Sequence, residues 1–124
     1  MKYIDGFVLV VKKGQLPAYK KMATEAGKMW KKHGALDYVE AMGDDLNPIG
    51  PDGKKPKTSF TKIVKARAGE KVFFSFITYK NKAHRDVVNK KVMAEMTKKY
   101  TEDMPMPFDM ARMAYGGFQS IVDL

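Results

Sequence analysis

Val72–Tyr79, VFFSFITY, is dense in aromatic and β-branched residues and reads as a buried strand. Gly69-Glu70 supplies a turn signal before it, and Asn81 just beyond it suits the cap of a helix. Ala83, Val87, Val88, Val92 and Met96 form the apolar stripe of that helix, which frays near Tyr100. The strand carries apolar side chains on both of its alternating faces. Each face therefore needs a cover, and one layer of helices covers only one.

Outward from this stretch the same unit recurs. Tyr3–Lys12 reads as a strand that is apolar on both faces in its second half. Pro17 suits the first turn of a helix whose stripe is Tyr19, Met22, Ala23, Ala26, Met29, Trp30 and His33, and Gly34 stops it. His33 is expected to cap carbonyl groups there. Leu36–Gly43 reads as a second strand, and residues 44–57, DDLNPIGPDGKKPK, as a long mobile loop. Thr58–Ala68 reads as a short helix using Phe60, Ile63 and Val64, with a distorted strand as the alternative. After the Met104–Pro107 break, Met110–Val122 returns to strand character, with Gly116-Gly117 marking a bulge or a close backbone approach.

The order β-α-β, loop, β-α-β predicts an α+β chain of ferredoxin-like βαββαβ type, with an antiparallel sheet and both helices on one face. At 124 residues a single domain over 1–124 is expected. The second apolar face predicts a homodimer in which two sheets pack together as a dimeric α/β barrel.

With no cysteine and only His33 and His84, no disulfide, thiolate nucleophile, cofactor or metal site is expected. No apolar run approaches the ~18 residues of a membrane span, which predicts a cytoplasmic protein without membrane contact. The net charge of +9 comes almost wholly from lysine, the arginines being Arg67, Arg85 and Arg112, and a solvated lysine surface is favoured over a polyanion site. An RNA-binding module is the alternative, because Phe74, Ser75, Phe76, Ile77 and Tyr79 partly mimic the aromatic third strand of RNA-recognition domains. Val72 and Phe73 stand where that strand's leading basic residue and glycine belong. No P-loop, dinucleotide fingerprint, nucleophile elbow or HExxH motif occurs.

Glu70–Met93, EKVFFSFITYKNKAHRDVVNKKVM, and the terminal PFDMARMAYGGFQSIVD resemble the YbaA-like bacterial family of unknown function. The most specific parts are Ala83-His84-Arg85-Asp86, Arg112-Met113 and Tyr115–Phe118, with Tyr3–Phe7 and Asp44-Asp45 as further features. The resemblance implies a dimeric α/β barrel, a superfamily that includes small cofactor-independent monooxygenases, and it implies no reaction. Phe76, Lys82 and Met110-Ala111 depart from the usual pattern, so a pocket lined by them would differ in shape.

Two groups of residues are candidates for chemistry. His84, Arg85 and Asp86 lie in the first turn of a helix, where amide groups and the dipole favour an anion. Tyr3, Asp5, Ser75 and Tyr79, with Arg112 or Tyr115 from the last strand, are expected to present polar groups in an apolar cavity, with an Asp5–Arg112 pair as the simpler reading. Together they predict binding of a small aromatic or anionic metabolite. His84 is the candidate general acid or base if the protein is a monooxygenase-like or isomerase-like enzyme.

Overall fold

The computed structural model describes residues 1–101 and 104–124. Its elements run β1 (Tyr3–Lys12), α1 (Leu16–Lys32), β2 (Asp37–Met42), α2 (Phe60–Ile63), β3 (Glu70–Tyr79), α3 (Lys82–Lys99) and β4 (Ala114–Gln119). The strands form one four-stranded antiparallel sheet in the order β2-β3-β1-β4.

Local chemistry explains the element boundaries. At the end of α1, Gly34 takes φ +118°, and the Ala35 and Gly34 amides donate to the Trp30 and Lys31 carbonyls. This is the double bond pattern of a glycine-terminated helix. His33, expected to cap carbonyls, instead places Nε2 3.2 Å from the Glu95 carboxylate, tying α1 to α3. At the start of α3, the Asn81 side chain accepts from the His84 amide at 2.8 Å. Val88 and Val92 are buried on α3, whereas Ala83 is exposed and Val87 is 52% exposed, so the core-facing stripe is narrower than the apolar pattern implies.

The last strand is shorter than expected. Met110–Arg112 form a 3₁₀ turn, because the Asp109 side chain accepts from the Ala111 amide and from Arg112 Nε. Pairing of β4 with β1 is unbroken, so Gly116-Gly117 make no bulge. The close approach is real: a Cβ at Gly117 would run into the Tyr3 ring and hydroxyl.

The register sorts the side chains into two faces. Leu9, Val11, Phe73, Ile77 and Tyr79 point toward the helices and pack with Tyr19, Ala23 and Met29 of α1 and with Val88 and Val92 of α3. Ile4, Val8, Val10, Val72, Phe74, Phe76, Val39 and Phe118 alternate with them and point away. One end of this second face is covered by Leu46, Val64 and Ala66, so residues 44–57 are anchored at Leu46. Across the rest, Phe74 is 45% and Phe118 62% exposed.

A carboxylate in an apolar cavity

On the helix-facing side of the sheet lies a cavity of about 610 Å³. Phe7 and Leu9 of β1, Ser75 and Ile77 of β3, and Tyr38 and Glu40 of β2 contribute to its lining. The register makes these residues neighbours, since Tyr38 pairs with Ile77 and Glu40 with Ser75. Trp30 and Met22 come from α1 and Met96 from α3, and residues 104–108 add Met104, Met106 and Phe108. Methionine is unbranched and polarizable, so a wall rich in it adapts to the shape of what it encloses.

Glu40 is the charged group that the sheet contributes to this lining, where Lys21 and Glu25 of α1 are also charged. Glu40 Oε2 accepts from Tyr19 Oη at 2.6 Å and from Ser75 Oγ at 2.5 Å, and its Oε1 accepts from Tyr38 Oη at 2.9 Å. Burial, reinforced by the neighbouring Glu40, holds the Tyr19 and Tyr38 phenols well above their ordinary range. Both therefore stay protonated and remain donors at neutral pH. Among the described residues no lysine, arginine or histidine makes an ion pair with Glu40. At the rim the Tyr100 hydroxyl donates to Glu25 at 3.0 Å, close to the end of α3.

Six of the residues singled out from sequence meet elsewhere, at the end of the sheet where β1 begins and β3 ends. Arg85 Nη1 donates to Asp5 at 2.7 Å, its Nε donates to Asp86 at 2.8 Å, and its guanidinium lies 4.7 Å from the Tyr3 ring centroid. The Tyr79 hydroxyl hydrogen-bonds Asp5 and accepts the Trp30 indole N–H at 3.1 Å. Burial pushes the Asp5 carboxyl up despite the opposing pull of Arg85. His84 stands edge-on to Tyr79 and accepts the Lys80 amide on Nδ1, which leaves the proton of a neutral ring on Nε2. The Arg85 fork is thus engaged by carboxylates of the chain itself.

The remaining three are dispersed. Arg112 does not pair with Asp5; it sits at the opposite end of β1, held by Glu70, Asp109 and the Lys65 carbonyl. Tyr115 stacks on Phe7 at 6.1 Å at the β4 edge and is 73% exposed. Ser75 alone of the nine contributes to the cavity lining. Tyr3, Asp5 and Tyr79 lie on the helix-covered face, so they do not converge on the open apolar face.

Glu40, Tyr19, Tyr38 and Trp30 escaped the sequence reading as functional groups. One signal was present: Tyr38 and Glu40 are two apart in a strand and share a face, so an inward Tyr38 turns Glu40 inward too. Among the described residues no group of three or more His, Cys, Asp or Glu side chains is placed to hold a metal ion. No helix among them is long and apolar enough to cross a membrane.

Comparison with known proteins gives consistent matches. The family described as "Protein of unknown function (DUF1428)" matches residues 2–110. The chain is 45% identical over 124 residues to the uncharacterized protein YbaA of Escherichia coli strain K12, with 99% of each chain covered, and equally so to YbaA of Shigella flexneri. Among solved structures it is similar to the de novo designed protein Foldit4, at TM-score 0.46 and 9% identity over 97% of this chain and 99% of that one, a likeness too distant to bear on fold or function. With its family match spanning most of its length, the chain belongs to the DUF1428 family of proteins of unknown function.

Proposed function

We propose that the protein is a homodimeric binder of a small, largely apolar metabolite, held in the cavity between the sheet, α1 and residues 104–108. The observation that carries this reading is the cavity itself. About 610 Å³ of space lined largely by aromatic and methionine side chains, with the Glu40 carboxylate among them, has the size and make-up of a small-molecule site. Anion binding at His84-Arg85 is not part of the proposal, because Asp5 and Asp86 already engage that guanidinium.

The strand order and the two helices on one face support a ferredoxin-like βαββαβ domain over 1–124. The open face supports pairing of two sheets into a dimeric barrel. Its centre presents Ile4, Val8, Val39, Phe74, Phe76 and Phe118 with no lysine or arginine between them, which suits an apolar partner face and offers nothing to phosphate. That absence ranks self-association above RNA binding.

A thermal-shift screen of metabolites tests the ligand reading. A ligand at a hundred times its Kd adds about 2.7 kcal/mol. At about 0.26 kcal/mol per kelvin for 124 residues, that is a midpoint rise of about 10 °C. Failure of every compound to shift the midpoint refutes the ligand reading. Light scattering tests the dimer, and a monomer persisting at high protein concentration refutes it.

A further inference from the structure

We infer that the cavity selects a cation: a compact apolar molecule bearing a protonated amine, whose ammonium group sits against Glu40. This rests on the cavity being a ligand site. The partners of Glu40, Tyr19, Tyr38 and Ser75, are all neutral hydroxyls, which fix the orientation of the carboxylate without neutralising it. An ionised carboxylate accepts about four hydrogen bonds, and these partners supply three, two on Oε2 and one on Oε1. An acceptor position on Oε1 remains.

What enters the cavity decides what happens to that charge. A neutral apolar ligand displaces water from this side of the carboxylate, which also borders a second cavity lined by Lys20, Lys28 and Lys31, and brings it neither donor nor counter-charge, which is costly. An anion adds repulsion from Glu40. An ammonium group supplies the missing donor and the missing charge together. Trp30 and Tyr38 also line the cavity, their rings tilted with centroids 6.1 Å apart, and add aromatic surface that can receive the same cation. Lys21 and Glu25 add one charge of each sign to the lining, Glu25 lying 3.8 Å from Lys99, so the formal charge of the lining itself is that of Glu40.

The test uses matched probes of one shape: phenylbutylamine, phenylbutanol and phenylbutyrate. Trp30 is the single tryptophan and lines the cavity, so its fluorescence reports occupancy directly. The amine is expected to bind about tenfold more tightly than the alcohol, as one charge-assisted hydrogen bond provides, and the carboxylate more weakly than both. Glu40→Gln keeps an acceptor for the hydroxyls and is expected to erase the preference for the amine while still binding the alcohol. The ranking of the three probes on the unmodified protein stands by itself should that variant fold poorly. Equal binding of all three, or a preference for the alcohol or the carboxylate, overturns the cation inference and leaves the cavity as a ligand site. Absence of any fluorescence change or thermal shift with all three overturns the inference together with the cavity reading.

Discussion

Replacing Arg85 by Met removes a charge from the most enclosed ion pair of the α3 first turn while keeping the apolar stem. The Arg85 and Asp5 side chains are 19% and 10% exposed, so the variant leaves Asp5 buried with the Tyr79 hydroxyl and no cation. Unpairing such a charge costs about 3 kcal/mol. With about 2.1 cal/mol/K per residue over 124 residues, the melting midpoint falls by about 12 °C near neutral pH. The pH dependence identifies the cause. Burial already raises the Asp5 carboxyl above 3.8, and loss of Arg85 removes the main opposing influence, so it rises further. A carboxyl whose folded value is raised penalises the fold at high pH. The penalty is relieved as pH falls through the raised value and is gone below the unfolded one. The deficit against the unmodified protein is therefore largest near neutrality and shrinks toward about pH 4. Asp5→Asn is the control, since it leaves Arg85 with Asp86 and the Tyr3 ring and removes the titrating group. Circular-dichroism melts across that range measure all three proteins. A loss below about 1 kcal/mol, as for a solvated pair, or a deficit that stays constant with pH, refutes the reasoning.

Three further outcomes are expected. Arg112 holds the Glu70 carboxyl down to about 2 from an ordinary 4.5, so this group's contribution is present above about 4.5 and is lost as pH falls toward 2. An acid titration of Arg112→Gln followed by circular dichroism should lack that component, and an unchanged titration contradicts the pairing. Gly117→Ala should cost about 1 kcal/mol, because its Cβ meets a Tyr3 ring already pinned beneath Arg85, whereas Gly116→Ala meets only the Phe118 ring at 3.9 Å and should be neutral or mildly stabilising. Equal melting midpoints for the two variants sink that distinction. Phe118→Lys places a charge on the open apolar face and should abolish the proposed dimer in light scattering, with little change in the melt of the monomer itself, since this side chain is 62% exposed.

The strands and helices were legible because their signals are local. Period-2 and period-3.6 patterns, Pro17 and Gly34 around α1, and Asn81 before α3 each act through a few neighbouring residues. The 3₁₀ turn at Met110–Arg112 was not, since it is held by Asp109 and by an ion pair reaching back to Glu70, far away in the chain. Partner choice among charged residues failed for the same reason. Arg85 and Arg112 are both available to Asp5 in the sequence, and only the antiparallel register places Asp5 beside the end of β3 that leads into α3, and Arg112 near Glu70 at the other end. Gly116-Gly117 stood between two meanings, and the Tyr3 ring decides for close approach.

The candidate site was the least legible part because its defining group breaks the pattern used to find cores. Glu40 stands in a strand position where Tyr38 marks the inward face, and a carboxylate there looks like a misplaced solvent residue until its donors are known. Those donors come from three separate elements, Tyr19 of α1, Tyr38 of β2 itself and Ser75 of β3, and beyond the two-residue step from Tyr38 to Glu40 no spacing in the sequence links them. Tyr19 also sits on the apolar stripe of α1, where an aromatic ring explains its burial without reference to its hydroxyl. A core built from side chains with polar tips keeps its apolar bodies packed and turns the tips toward one carboxylate. The open apolar face lies on the other side of the sheet from this arrangement. Association through that face would leave Glu40 and its three donors on the helix side of the sheet, while Val39 and Phe76 belong to the open face and also border the cavity. Each subunit of a sheet-paired dimer would then keep its own carboxylate, with those two side chains joining its cavity to the interface.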